Sequence, residues 1–165
     1  MSRPKPIKPG PGQESVWDYP RPPRLEPSER HIQIIFNDVV IADTRRAQRV
    51  LETSHPPTYY IPPEDIRTEY LIVARGSSVC EWKGVARYYT VRVGDHEVEA
   101  AAWAYPAPTP AFAAIRNHLA FYAQKMDRCL VDGQAARPQP GGFYGGWVTD
   151  DVVGPFKGEP GTMWW

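Results

Sequence analysis

Thirteen consecutive residues, Thr53 to Asp65, gather many of the groups in this chain that could do chemistry. They include His55, the hydroxyls of Thr53 and Ser54, the phenols of Tyr59 and Tyr60 and the carboxylates of Glu64 and Asp65, set among Pro56, Pro57, Pro62 and Pro63. Each proline fixes φ and pushes the residue before it toward extended backbone, so the segment is stiff and unsuited to a helix interior. A stiff polar and aromatic loop presents its side chains with little ordering entropy left to lose. Within it His55 could act as a general base near neutral pH, with Glu52 just upstream to help manage the proton. The same imidazole could instead cap a turn or bond to backbone.

A second group follows at Cys80-Glu81-Trp82-Lys83-Gly84. Cys80, close to Lys83, could serve as a nucleophile with His55 as its base, or it could be an ordinary small buried thiol. Gly84 permits close backbone approach at a strand start, and the Lys83 ammonium could meet a carboxylate or phosphate. The catalytic candidates are therefore His55, Cys80 and Glu52. The candidates for ligand binding are Ser54, Tyr60, Trp82, Lys83, Trp103 and Tyr105, since aromatics with polar tips suit a pocket for a flat or cationic ligand. Many of these aromatics could equally serve the core. Four scattered histidines and the lack of any Cys-x-x-Cys pair lead us to expect no metal and no cofactor.

These groups must be positioned by a chain of 165 residues, long enough for one domain with its own core. Nineteen basic residues balance nineteen acidic ones, which argues against a general binder of nucleic acid or anionic membrane. Cys80 and Cys129 are the only cysteines, and free thiols in a reducing cytoplasm are expected over a disulfide. Met1 to Pro6 leads into no apolar run, so no secretory signal is read there, and no stretch reaches the length of a membrane span. The expected location is cytoplasmic.

Composition divides the chain in three. Residues 1–27 hold eight of the nineteen prolines and read as an extended arm, its first dozen residues disordered and its second half laid against the body through Trp17, Tyr19 and Leu25. Residues 28–133 read as a β-rich core domain. Residues 134–165 are rich in glycine, proline and aromatics and are expected to wrap over the core or dock on a partner, because exposing such apolar area is costly.

Within the core, Ile32, Ile34 and Phe36, the turn pair Asn37-Asp38 and Val39 to Ile41 predict a β-hairpin. Residues 44–51 fit either a short helical turn or a strand. Tyr70 to Ala74 is another strand, and the hairpin Val85 to Trp103 turns at Gly94-Asp95, with Val85, Arg87, Tyr89, Val91 and Val93 on one face. Thr109 and Pro110 could start a helix, and Phe112, Ile115, Leu119, Tyr122 and Met126 carry an apolar stripe along it, predicting an amphipathic helix over 110–127. Tyr105-Pro106, just before it, is a candidate cis bond. The class is mainly β with one helix, in a compact single domain.

The segments Val40 to Thr44, Glu52 to Pro57, Tyr59 to Pro62, Cys80 to Gly84 and Ala101 to Pro106 resemble a bacterial family of small single-domain proteins. That family is catalogued as domain of unknown function 427, and the resemblance spans about residues 30–127. It implies a compact, mostly β domain with one helix and leaves open a relation to the β-tent (Mss4-like) folds, although this chain lacks the paired Cys-x-x-Cys zinc ligands of typical β-tents. A nucleotidyltransferase-like label attached to the family implies spaced aspartates that hold Mg²⁺. Here the aspartates of Asp150-Asp151 are adjacent, and neighbours on a strand point to opposite faces.

Two functions compete. One is a small-molecule-binding domain, with catalysis open, built around a pocket of His55, Lys83 and aromatic residues. The other is a non-catalytic interaction protein whose arm and tail dock a partner or a second copy as a homodimer.

Overall fold

Alternating residues become strands, and helical structure is confined to short 3-10 segments, across residues 3–165, which the computed structural model describes. Met1 and Ser2, at the start of the proline-rich arm, lie outside the described residues. Strand β1 (Glu14–Ser15) belongs to that arm, and β2 (Arg24–Ser28) takes up its last residues. The expected hairpin is β3 (Ile32–Phe36) with β4 (Val39–Thr44), turned by Asn37 and Asp38 at φ 48° and 62°. Two left-handed residues are what a tight turn matched to strand twist requires. The ambiguous stretch resolves as strand β5 (Ala47–Leu51), and β6 (Thr58–Tyr60) carries the paired tyrosines, giving a sheet of order β2-β5-β6.

The largest hairpins are β7 (Leu71–Cys80) with β8 (Gly84–Val93), and β8 with β9 (His96–Ala104). A register shift between Tyr89 and Val91 places two extra residues in β9 and spares the face expected for alternate residues of β8, since Tyr89, Val91 and Val93 all pack on one core cluster. Val85 and Arg87 are exposed, whereas Val91 and Val93 are buried. A shift of two keeps every later side chain on its own face, and only the depth of cover along the strand changes.

The helix expected over 110–127 is corrected in extent. A 3-10 segment covers Pro110–Ile115, interrupted by Phe112 at φ −115°, and Asn117 turns the chain at φ 59°. The chain then forms β10 (Leu119–Phe121), which joins β9 to give the order β10-β9-β8-β7, and a second 3-10 turn at Ala123–Lys125. Leu119 and Ile61 exchange backbone hydrogen bonds of 2.8 and 2.9 Å, so a sheet partner takes the groups a helix would have paired internally. Phe112, Ile115, Leu119 and Met126 are buried all the same. Arg21–Pro22 and Gly154–Pro155 are the cis peptides among the described residues, and Tyr105–Pro106 is trans.

Strands β11 (Arg128–Val131) and β12 (Gln134–Ala135) extend the first hairpin to the order β12-β11-β3-β4. In the C-terminal segment β13 (Arg137–Pro138) pairs with β14 (Trp147–Val148), and β15 (Val152–Val153) runs parallel to β1. The described sheets do not close into a barrel, and a tent-like architecture is not established by these orders. Contrary to the expected disorder, the described part of the arm is tied to the C-terminal segment: Ile7 N–H donates to the Gly154 carbonyl at 2.9 Å and Glu14 N–H to that of Asp151 at 2.8 Å. Among the described residues no helix is long and apolar enough to cross a membrane.

The core falls into three clusters. Ile32, Ile34, Ile41, Val91, Phe121 and Trp147 belong to the first; Val50, Tyr60, Trp103, Tyr105, Phe112 and Ile115 to the second; Val16, Tyr19, Leu51, Val148 and Val152 to the third. Period-2 alternation lets β9 serve two of them, Ala102 and Ala104 toward the first and Trp103 toward the second.

Candidate functional site

A cavity of about 300 Å³ opens beside the second cluster. Its floor is one face of the β7-β8-β9 sheet. Ser78 and Cys80 alternate along β7, Tyr88 lies opposite Trp103 in the β8-β9 ladder, and Tyr105 follows one step past β9. Ser78 Oγ and Tyr88 Oη share a hydrogen bond of 2.9 Å. Trp82 and Lys83 enter from the β7-β8 loop, which is pinned to the segment before Pro110. Thr109 donates from Oγ1 to the Trp82 carbonyl at 2.6 Å and from its N–H to the Lys83 carbonyl at 3.1 Å. Gly84, at φ 113°, keeps this approach open, since a methyl there would sit 3.3 Å from the Ala107 carbonyl oxygen.

The second wall is the proline-stiffened loop, which contributes Glu52, His55, Pro56, Thr58 and Tyr60. Main-chain bonds fix it from both ends of the chain: Ser54 N–H donates to the Val16 carbonyl at 3.0 Å, and Lys157 N–H donates to the Ser54 carbonyl at 2.9 Å. His55 donates Nδ1–H to the Thr53 carbonyl at 2.9 Å, which fixes the neutral tautomer and leaves Nε2 without a hydrogen bond among the described residues. Burial holds the imidazole pKa below its ordinary value, against the pull of the Glu52 carboxylate 3.7 Å from Nδ1. Lys157 and Arg21 push it the same way as burial. Glu52 is itself paired with Arg21 at 3.2 Å.

Ser54 is a correction to the expected ligand contacts. It is fully buried, sits at φ 72° and does not line the cavity. Its hydroxyl is a buried side-chain polar atom with no hydrogen-bond partner among the described residues. The left-handed turn that aims His55 at the cavity turns Ser54 away from it.

The third wall was not anticipated residue by residue. It comes from the C-terminal segment and consists of Gln139, Phe143, Tyr144, Gly145 and Lys157. Tyr144 meets His55 edge to face with centroids 4.9 Å apart, and the Lys157 ammonium lies 5.4 Å from the Tyr144 ring centre. Gln139 ties this wall together, donating Nε2–H to the Lys157 carbonyl at 2.8 Å and accepting the Gly146 N–H at 3.1 Å. Gly145 abuts the edge of the Trp103 indole, where a methyl would fall 1.9 Å from Cη2. The one signal in the sequence was the aromatic, glycine-rich character of the segment.

The cavity thus brings together Glu52, His55, Tyr60, Cys80, Trp82, Lys83, Trp103 and Tyr105. Its aromatic lattice is continuous. Trp103 donates Nε1–H to Tyr60 Oη at 3.3 Å, packs 4.6 Å from Tyr122, and Tyr60 lies 6.3 Å from Tyr105. Burial raises the phenol pKa values of Tyr60 and Tyr105 and lifts Tyr122 to about 12, so all three stay neutral donors. Lys83 stands 5.9 Å from the ring centres of both Tyr105 and Phe112.

The proposed thiol–imidazole pair is not assembled, for Cys80 and His55 share the cavity without a hydrogen bond. Cys129 lies in the first core cluster, where burial alone lifts its thiol to about 12. Both sulfurs are free. No group of three or more His, Cys, Asp or Glu side chains arranged to hold a metal occurs among the described residues.

A family model described as a domain of unknown function (DUF427) matches residues 24–132. No curated protein matches the chain.

Proposed function

Given that the chain belongs to the family of domain of unknown function 427, we propose that its cavity binds a small, flat organic anion. The observation that carries this reading is Lys83. Its ammonium lines an aromatic cavity and has no carboxylate within 4.0 Å among the described residues. A cation in aromatic surroundings with no partner is best satisfied by an anionic ligand, and the half-buried Trp82, beside the buried Trp103 and Tyr105, offers a face for a planar body. His55, neutral near pH 7 with Nε2 open, would accept a proton or a hydroxyl hydrogen from the bound molecule, with Glu52 offsetting the charge so formed.

The test is a thermal-shift screen of aromatic and aliphatic carboxylates and phosphates against the wild type and Lys83→Gln. A ligand at one hundred times its Kd should stabilise the wild type by about 2.7 kcal/mol. The variant should keep its own Tm and lose the response. A wild type that answers to none of these anions, or a variant that answers equally, overturns the reading. A silent Lys83→Gln would favour the second reading, partner docking, which draws on the exposed Phe143, Met163 and Trp164 of the C-terminal segment.

A further inference from the structure

We propose that the cavity contains a second anion subsite, built by Lys157 and Tyr144, and that its ligand carries an acidic group at each of two ends. This rests on the reading of the cavity as an organic-anion site and names the ligand class more narrowly. Two ammonium groups line the cavity and touch different aromatic patches. Lys83 stands over Tyr105 and Phe112, Lys157 over Tyr144. Neither has an aspartate or glutamate side chain within 4.0 Å among the described residues. The two carboxylates on the wall do not change this, because Glu52 is bound by Arg21 and Glu81 is exposed to water.

Lys157 is a held residue, not a loose surface lysine. Its N–H is bonded to the Ser54 carbonyl at 2.9 Å and its carbonyl accepts from Gln139 at 2.8 Å, so its backbone is fixed on both sides. Its ammonium makes one long contact, 3.5 Å to the main-chain oxygen of Trp165, which leaves most of its three-donor capacity unused. Tyr144 adds a phenol that makes no hydrogen bond among the described residues, beside the same ammonium. A ligand with one acidic group satisfies one lysine and leaves the other cation beside it in a partly dry cavity. A ligand with two satisfies both.

Calorimetric titration of the full chain at low salt separates these cases, using benzoate, terephthalate and 4-carboxycinnamate as probes. At least one dicarboxylate should bind about tenfold or more tighter than benzoate, the scale of one charged hydrogen bond. Lys157→Gln should erase that advantage, so that the dicarboxylates fall to the level of benzoate measured on the same variant, and Lys157→Arg should retain it. Dicarboxylates that bind no tighter than benzoate, or an advantage that survives Lys157→Gln, overturn the second subsite and leave the first standing. If no probe binds the wild type, both readings fall together.

Discussion

His55 shows how far one residue's surroundings set its chemistry. A depressed pKa in the folded state means that the unfolded chain binds the proton more readily. Its contribution to stability is therefore complete above the ordinary value of 6.5 and is lost as pH falls through 6.5 toward the lower folded-state value. Comparing Tm of the wild type and His55→Gln from pH 8 to pH 5, we expect the wild type to lose more on acidification; parallel curves would refute the assignment. The sequence marked this imidazole because prolines surround it and marked Lys83 because glycine follows it, both local signals. It misjudged Ser54, because a left-handed φ at a serine leaves no trace in residue type. It also paired Cys80 with His55, since composition can bring two groups near one another but cannot set their angle.

Elements carry the next lesson. The β3-β4 and β8-β9 hairpins were legible from alternation and turn residues, because both signals act within a few positions. The stripe from Phe112 to Met126 was read as a long helix because spacings of three and four also satisfy a 3-10 turn followed by a strand. The choice was made by Ile61, far away in sequence, whose backbone offered Leu119 a ladder partner. The C-terminal wall has a test at this scale. Trp103 is only 7 % exposed and wedged against Tyr60 and Tyr122, so the methyl of Gly145→Ala has nowhere to go. Overpacking of this kind typically costs about 1–3 kcal/mol, and chemical denaturation should show it; an unchanged midpoint would mean the indole yields freely.

Across the whole molecule, the segment after residue 133 packs as core rather than as an appendage. Trp147 is 1 % exposed, packs at a tilt against Tyr59 with ring centroids 5.5 Å apart and donates Nε1–H to the Phe121 carbonyl at 2.9 Å. Trp147→Ala should destabilise the protein by about 3–5 kcal/mol in urea denaturation, and a loss below 1 kcal/mol would show the segment to be dispensable. Its role in the cavity escaped the sequence for a physical reason. Gln139, Tyr144 and Lys157 follow no period and meet the His55 loop across some hundred positions, where residue spacing carries no information.

One consequence concerns the order of events during synthesis. The hairpins β7-β8 and β8-β9 pair close neighbours and can form early, as local contacts close fastest. The imidazole loop is instead locked by Val16 from one side and Lys157 from the other. A nascent chain stalled before residue 157 would already own its sheets and yet have no finished hollow, so the hollow is completed only after the sheets that floor it.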